Sequence, residues 1–542
     1  MKPADAIRAE LGRIALELGA PEGTDVVLER PREAAHGDWA SNVALILARP
    51  LKQKPRDIAE KIRAQFRAEE AGVATVEVAG PGFLNFRLRP AVIASVAGEI
   101  VAAGESYGRS DVGRGAAVNV EFVSANPTGP LHVGHGRQAA LGDAIATLLE
   151  HTGWDVSREY YYNDAGAQID NLAASVRARL LEARGESAEI PEGGYHGEYI
   201  REIAASFQGD ADDLAAVRAH AVRALRLEQD LDLAAFGVTF DMYFLESSLY
   251  EEGLVEKTVA ALTRAGKTYE HEGALWLRTT EFGDDKDRVM RKGDGTYTYF
   301  VPDVAYHVTK WERGFKRAID VQGADHHSTV TRVRAGLQAL GIGIPEGYPE
   351  YVLHQLVTVT RGGQEVKISK RAGSYVTVRD LIDEVGRDAV RYFFIMRKGD
   401  SPLIFDVDLA RSQSEENPVY YIQMAHARMC GIFRVGAEQG IATAAAVDAD
   451  LSLLTEAEEQ QLIKALEDYP AELAGSAAAL EPQRIASYLL ETARLAHLWY
   501  HKHHVLGQEE ALMRARLVLA RAAQIVLANG LSALGITAPE RM

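Results

Sequence analysis

His132 and His135 bracket Gly134 in the stretch LHVGH, at the point where a β-type run gives way to a helix-type run. Three positions apart, two imidazoles lie on one side of a helix that begins there, and Gly134 lets a ligand approach the backbone closely. A helix N-terminus offers unpaired N–H groups and the positive end of a dipole, a natural seat for a phosphate. Imidazoles beside it suit a phosphoryl centre that gains charge in its transition state, where preorganised donors matter more than a nucleophile. The alternative is a pair of surface histidines near a turn. A second element, GGQEVKISKRAGSYVTVRDLI, sets Lys367, Ser369, Lys370 and Arg371 in a Gly-flanked loop after the strand-like YVLHQLVTVT. Such a loop can close on a polyphosphate and supply point charges to a leaving pyrophosphate; on its own it is equally a solvated basic loop.

The elements that must position these residues follow from periodicity. AAVNVEFVSA is a short β-branched apolar run of the kind buried in a parallel sheet. NPTGP cannot continue it, GRQAALGDAIATLLEHTG has helical periodicity, and DVSREYYYND returns to a strand pattern. Strand, turn, helix, strand is a βαβ unit, which places LHVGH at the C-terminal end of its first strand. From Ile169 to about Thr268 the chain is helical and charged, an insertion in the α/β domain. GALWLRT, YTYFVPDVAYH, RAIDVQGADHH and YVLHQLVTVT then read as strand-like pieces, and the remainder after Arg379 as helices. Ahead of the α/β domain, helical runs and the strand-like VATVEVAGPGFLNFRL form a compact α+β unit that ends near Ser106.

The bulk properties bound the function. A chain of 542 residues is too long for one core and implies roughly three or four domains. Its 47% hydrophobic and 25% charged residues, without low-complexity blocks, are those of a globular protein. No signal-peptide pattern or membrane span is visible, and the reading is cytoplasmic. Cys430 is the single cysteine, which excludes an intrachain disulfide and a cysteine-cluster zinc site. A net charge of −18 argues against unspecific affinity for nucleic acid, although basic faces on an acidic body still bind phosphates. One such run carries Arg494, His497, His501, Lys502, His503, His504, Arg514 and Arg516.

LHVGH and KISKR resemble the HIGH and KMSKS signatures of class I aminoacyl-tRNA synthetases, in the right order and with a helical insertion between them. The surrounding text is similar to the arginyl-tRNA synthetase family along nearly the whole chain, in HGDWASNVA, AGPGFLNFRL, VEFVSANPTGPLHVGHGR, EYYYNDAGAQI, GADHH, KISKRAG, NPVYYIQMAHAR and NGLSALGITAPERM. The HIGH region comprises Ala125, Asn126, Pro127, Thr128, Gly129, Pro130, Leu131, His132, Val133, Gly134 and His135. The resemblance implies an arginine-tRNA ligase that joins L-arginine to ATP as arginyl-adenylate and passes the arginyl group to the 3′-terminal adenosine of tRNA-Arg. It implies that His132 and His135 stabilise the α-phosphate transition state, with Gly134 leaving room for the nucleoside. Lys367 and Lys370 would hold the β- and γ-phosphates, with Ser369 in the same loop. Many family members lack the second lysine and carry one just ahead of the HIGH-like motif; here that upstream place is Gly129.

By the same resemblance Gly323, Asp325 and His326 of GADHH line the ATP ribose. An Asp-His-His metal cluster is the alternative, but no partner Asp/His set stands at suitable spacing, so no protein metal site is expected and Mg²⁺ arrives with ATP. A guanidinium is best bound by a carboxylate fork. The family pattern puts the arginine pocket on Glu121, Ser124, Asn126, Tyr299 and Asp303, with Asp303 and Tyr299 at the guanidinium and Ser124 and Asn126 at the amino-acid end. A structural ion pair is the alternative for each acid, Glu121 foremost. A further pocket position, a glutamine in some eukaryotic members, matches Ala324, with Gln322 a possible substitute.

The implied fold is α/β. It has a Rossmann-type parallel-sheet catalytic domain over 107–379 with a helical insertion at about 169–268, an N-terminal α+β tRNA-binding domain over 1–106, a connecting segment over 380–410, and an all-α anticodon-binding bundle over 411–542. Aromatic faces stack unpaired bases and arginines hold phosphates, so Tyr420, Gln423 and Arg428 are candidate tRNA contacts, with core packing as the alternative for the tyrosine. Asn42 is the candidate in the N-terminal domain, and the basic run from Arg484 onward is read as tRNA-facing. A monomer without membrane contact is expected. A noncatalytic tRNA-binding protein and a different nucleotidyltransferase are the competing functional classes.

Overall fold

The computed structural model describes residues 3–542 except 22, 32, 34–35, 165, 367–374 and 442–447. The chain divides into two compact units. One comprises Met1–Glu105, Met429–Asp468 and Arg494–Val526, the other Ser106–Arg428, Tyr469–Ala493 and Leu527–Met542. Among the described residues no helix is long and apolar enough to cross a membrane.

In the first unit, β1 (Trp39–Ser41), β2 (Val73–Ala79) and β3 (Phe83–Leu88) form an antiparallel sheet in the order β1-β3-β2. The helices Pro3–Glu17, Val43–Leu51, Pro55–Gln65 and Pro90–Ala103 accompany it. The three that open on proline at their first position use the one residue whose missing N–H costs nothing there. Arg30 donates to Glu467 and Asp468, each at 2.6 Å, and lies 4.4 Å over the Trp39 ring, so 429–468 is fastened to the N-terminal sheet by a forked ion pair.

The second unit is built on a five-stranded parallel sheet of β4 (Ala117–Glu121), β5 (Asp155–Tyr162), β6 (Met242–Leu245), β10 (Arg317–Gly323) and β11 (Glu350–His354), ordered β11-β10-β4-β5-β6. Order runs outward in both directions from β4, so the topology reverses between β4 and β10, and a ligand crevice is expected at the carboxyl ends of those two strands. Between β6 and β10 stands a small antiparallel sheet of β7 (Thr268–His271), β8 (Ala274–Leu277) and β9 (Arg288–Arg291). A third sheet, ordered β13-β12-β14, takes β12 (Val357–Arg361), β13 (Gln364–Glu365) and β14 (Leu403–Asp406).

Three sequence expectations change. The inserted segment is helical, as Ala167–Ala183, Glu198–Ser206 and Leu214–Phe236 around a core of Leu172, Val176, Ile200, Val217 and Leu225. It ends well before Thr268, because MYFL rejoins the parallel sheet as β6; four residues are too few to show a period. YTYFVPDVAYH is not a strand but opens the helix Phe300–Glu312. Its aromatic and β-branched content favours a strand, yet Pro302 in the first turn and burial of Val301, Val304 and Ala305 fix a helix against the sheet. The stretch after Arg379 is not wholly helical, because Leu403–Asp406 pairs in parallel with β12 as β14, whereas GALWLRT is a strand as expected, in the small antiparallel sheet.

The helices Pro418–Glu438, Ala457–Ala479, Gln483–Lys502 and Glu510–Ala533 complete the chain, and residues of all four contribute to both units. Within the second unit Arg391, fully buried, donates to the Leu534 carbonyl, the Phe236 carbonyl and Asp143 (3.1, 3.2 and 2.6 Å). One guanidinium thereby ties the helix that carries the histidines to the end of the insertion and to the C-terminal segment. Within the first unit the basic run meets acids: Arg516 donates to buried Glu459, Lys502 and His503 lie against Glu458, and Arg514 against Asp448. These four side chains are engaged inside the protein, which leaves less of that run to face a nucleic acid than its composition implies.

Candidate functional site

β4 ends at Glu121 and the chain turns through 122–132 before the helix Val133–His151. The turn is forced. Val123 and Ser124 have φ of 69° and 43°, a left-handed backbone that costs a side-chain-bearing residue on the order of 1–3 kcal/mol. Side chains hold it there. Ser124 Oγ donates to Glu121 at 2.9 Å and accepts from the Tyr161 N–H, while the Tyr160 hydroxyl accepts from the Ala125 N–H and donates to the Ala125 carbonyl. Gln229, on the insertion, donates to the carbonyls of Asn126 and Gly129 (3.0 and 2.9 Å), and Tyr199 donates to that of Thr128. The insertion thus braces the loop that precedes the histidines. Gly129 is packed beneath it: a β-carbon there would stand 2.7 Å from the Tyr375 hydroxyl and 3.3 Å from that of Tyr199.

His132 caps the helix. Its Nδ1 accepts from the N–H groups of Gly134 and His135 (3.0 and 3.2 Å), so the neutral ring carries its proton on Nε2. The His135 ring stacks on it with centroids 3.6 Å apart at 15°. Burial lowers the pKa of both rings, and for His135 the neighbouring His132 and His354 lower it further, so the pair stays uncharged. Gly134 serves the ring: a β-carbon would meet His132 Cε1 at 2.8 Å. Lys367, Ser369, Lys370 and Arg371 lie outside the described residues. The segment that follows them is fixed beside the histidines. Val133 N–H donates to the Val376 carbonyl, Val378 N–H to that of Leu131, and the Tyr375 hydroxyl to that of Pro130. A cavity of about 570 Å³ opens here, lined among others by Asn126, His132, His135, Tyr199 and Tyr375.

Across the switch point, Gly323 ends β10 and Asp325 and His326 follow in a single 3-10 turn, both well exposed. A β-carbon on Gly323 would collide with the Asp325 carboxylate. Asp325 adds a charge term that favours protonated His132, so the two belong to one edge of the sheet.

The acidic residues separate into two groups. Glu121 accepts from Lys310 Nζ at 2.5 Å and from Ser124; the same ammonium donates to Asp320 at 2.8 Å, which His307 Nε2 meets at 2.7 Å. Glu121, His307 and Asp320 converge closely enough to hold a metal ion, but the buried Lys310 ammonium sits among them. Among the described residues Asp303 and Glu246 form no ion pair, although His307 and Arg332 draw the Asp303 pKa down in part. Asp303 follows Tyr299 by one helical turn, its N–H bonded to the Tyr299 carbonyl, and burial pushes its carboxyl up to about 7, with Glu246 and Glu121 adding to the rise. Glu246, at the start of the short helix after β6, is also raised by burial and accepts from the Tyr161 hydroxyl at 3.0 Å. Tyr299 is 71% exposed, so its ring is free to move onto a ligand. Asn126 donates to Gln168, and Gln322 keeps a buried amide oxygen without a hydrogen-bond partner among the described residues. Glu246 and Tyr161 escaped sequence reasoning. Their signal was position: each stands at the carboxyl end of a parallel strand, the edge where ligands bind.

Of the remaining candidates, Tyr420 and Gln423 border a cavity of about 510 Å³ together with Arg387, Arg411, Asn417 and Met542. Gln423 donates to Asp388 and to the Thr537 carbonyl, so its amide holds the C-terminal segment. Arg428 is half-buried on the same helix. Asn42 precedes the helix Val43–Leu51 and buries its amide oxygen without a hydrogen-bond partner among the described residues.

A doubly wound parallel sheet with a neutral histidine pair after its first strand, and with the segment from Tyr375 onward fixed beside that pair, is the catalytic domain of a class I aminoacyl-tRNA synthetase. Residues 98–401 match the family described as tRNA synthetases class I (R), catalytic domain, residues 2–88 the arginyl tRNA synthetase N terminal domain, and residues 422–542 the DALR anticodon binding domain. An arginine–tRNA ligase of Geotalea daltonii is 55% identical over 541 residues, covering 97% of this chain and 96% of its own. One of Geobacter metallireducens is 56% identical over 533 residues, with 95% of each chain covered. The solved arginyl-tRNA synthetase of Thermus thermophilus shares the fold, with a TM-score of 0.77 at 24% identity over 99% of this chain and 100% of that one. The chain belongs to the arginyl-tRNA synthetase family.

Proposed function

We propose that the protein is an arginine–tRNA ligase that works in two steps. A carboxylate oxygen of L-arginine bonds to the α-phosphorus of ATP, the bond to the β-phosphate oxygen breaks, and pyrophosphate leaves with the electron pair. A hydroxyl oxygen of the 3′-terminal adenosine of tRNA-Arg then bonds to the arginyl carbonyl carbon, the bond from that carbon to the phosphate oxygen breaks, and AMP leaves with the electron pair as the hydroxyl proton is released. The carrying observation is the acid pair Asp303 and Glu246, neither held in an ion pair among the described residues, beside the sheet edge that carries the stacked histidines. His307 and Arg332 offset only part of the rise that burial imposes on Asp303, so the slot favours a ligand that brings a positive, forked head group.

In this reading His132 donates Nε2–H to an α-phosphate oxygen as charge develops, and His135 supports the ring by stacking. Lys367 and Lys370 meet the β- and γ-phosphates, whose Mg²⁺ comes with ATP. Gly323, Asp325 and His326 border the ribose, and Ser369 accompanies the lysines. Asp303, with Tyr299 closing over it and Glu246 beside it, takes the guanidinium; Ser124 and Asn126 face the amino-acid end. Glu121 acts through Ser124 and Lys310 as a positioning residue. The division into an N-terminal tRNA-binding domain over 1–106 with Asn42, a catalytic domain over 107–379 and an anticodon-binding bundle over 411–542 with Tyr420, Gln423 and Arg428 completes the reading, for a cytoplasmic monomer.

Aminoacylation with each of the twenty amino acids, run beside pyrophosphate exchange with and without tRNA-Arg, tests it. Charging with arginine alone, and exchange that needs tRNA, is the expected result. Folded protein without exchange supports a tRNA-binding protein instead, and exchange indifferent to tRNA a different nucleotidyltransferase. A site that hydrogen-bonds a distinctive head group rejects analogues by about 10⁴ to 10⁵, so arginine's margin is expected to be wide without editing.

A further inference from the structure

We infer that His354 is an additional nucleotide-binding residue, whose Nε2 accepts a hydrogen bond from the adenosine moiety of ATP. The inference rests on the proposed placement of ATP at the β4/β10 edge. His354 ends β11 and pairs in register with Gly323, the last residue of β10, so it stands at the strand edge where the nucleotide is proposed to lie. It is 5% exposed. Nδ1 lies 3.2 Å from the Gln355 carbonyl oxygen. A carbonyl only accepts, so the proton sits on Nδ1 and Nε2 presents its lone pair.

That tautomer is held from a second direction. The same Gln355 carbonyl accepts from Arg137 at 2.8 Å, and Arg137 also donates to the carbonyls of Ser401 and Lys398, each at 3.0 Å. Arg137 lies two residues past His135 on the capped helix, so ring, carbonyl and histidine pair are parts of one rigid frame. Nε2 is buried and has no hydrogen-bond partner among the described residues. A buried acceptor left bare lacks the hydrogen bond that water would supply, and a donor brought to it by a ligand would restore that bond. Burial lowers the His354 pKa to about 4, so the lone pair is available at any working pH, and the surroundings that act on the ring include Arg137, Asp325 and His132.

Adenosine offers two kinds of donor, the exocyclic N6 amine and the ribose hydroxyls. Steady-state aminoacylation with ATP, 2′,3′-dideoxy-ATP and purine riboside triphosphate separates them, using His354→Asn, His354→Gln and His132→Asn. Asparagine keeps a donor toward the Gln355 carbonyl and lacks the distal acceptor; glutamine places an amide oxygen near the Nε2 position. With ATP, His354→Asn is expected to raise KM roughly tenfold at nearly constant kcat, and His354→Gln to recover most of that loss, as one hydrogen bond warrants. With whichever analogue lacks the donor, wild type loses the same factor and His354→Asn adds nothing. A penalty equal for all three nucleotides, or none, overturns the inference. If His132→Asn also leaves turnover with ATP unchanged, the placement of ATP itself has failed; if only the His354 variants are silent, that placement stands without this contact. Should His354→Asn not fold, His354→Gln and the wild-type analogue series decide: a tenfold loss with one analogue that His354→Gln shares supports the contact, and its absence removes it.

Discussion

Asp303→Asn is expected to raise the KM for arginine about a hundredfold, the scale of losing one partner from a desolvated charge pair, while the KM for ATP stays within about twofold. The same substitution is expected to make the ligand-free protein more stable at pH 8. The carboxyl of Asp303 sits near pH 7 in the folded chain, against about 4 in an unfolded one. Between those values the folded chain holds the extra proton, so the stability this group contributes is complete below about pH 4 and is lost as pH rises toward 7. Asparagine carries no proton to lose. Melting curves at pH 5 and pH 8 are expected to diverge by a few degrees in its favour only at the higher pH. For wild type the same titration acts on binding in the opposite sense: the ionised form takes the guanidinium, so the KM for arginine is expected to rise about tenfold per pH unit below 7. An ATP defect in Asp303→Asn, or an arginine KM flat from pH 6 to pH 8, would remove Asp303 from the pocket.

For His132 the chemical and structural roles separate cleanly. Both His132→Asn and His132→Ala are expected to lower the turnover of pyrophosphate exchange by about 10² to 10³, the cost of one preorganised donor to a developing oxyanion. Only the alanine chain is expected to lose stability, by about 1 kcal/mol, because asparagine caps a helix as well as the Nδ1 that accepts from Gly134 and His135 does here. Equal turnover in wild type and His132→Asn would reduce the imidazole to a cap. Exchange rate and urea midpoint on the three proteins give the answer.

The positions of these groups were partly open to inspection from the chain alone. NVEFVSA and GRQAALGDAI show their periods plainly because β4 is buried on both faces and the helix after it is buried on nearly every side. The catalytic turn between them was therefore predictable. What a period cannot carry is pairing at long range. Lys310 reaches Glu121 across 189 positions, and nothing local distinguishes a lysine that neutralises a strand carboxylate from one in solvent. Hence Glu121 reads as an arginine contact, whereas its oxygens are given to Lys310 and Ser124. Glu246 was hidden for a different reason: it follows a four-residue strand with no measurable alternation, at the far edge of the sheet. The Phe300–Glu312 helix was obscured by composition, since Tyr, Phe and Val favour strands until their burial against a neighbour is known.

By the family resemblance the one cation near the triphosphate stands either in the loop or just ahead of the histidines, and in this chain a β-carbon at the upstream place, Gly129, would stand 2.7 Å from the Tyr375 hydroxyl and 3.3 Å from that of Tyr199. Both phenols are anchored to the backbone they would have to vacate. Moving the charge therefore demands several simultaneous replacements, and the simple exchange, Lys370→Ala with Gly129→Lys, is expected to remain as inactive in pyrophosphate exchange as Lys370→Ala alone. The loop ahead of the histidines and its two phenols are fitted to one another, so the place of the cation is not moved by one residue alone.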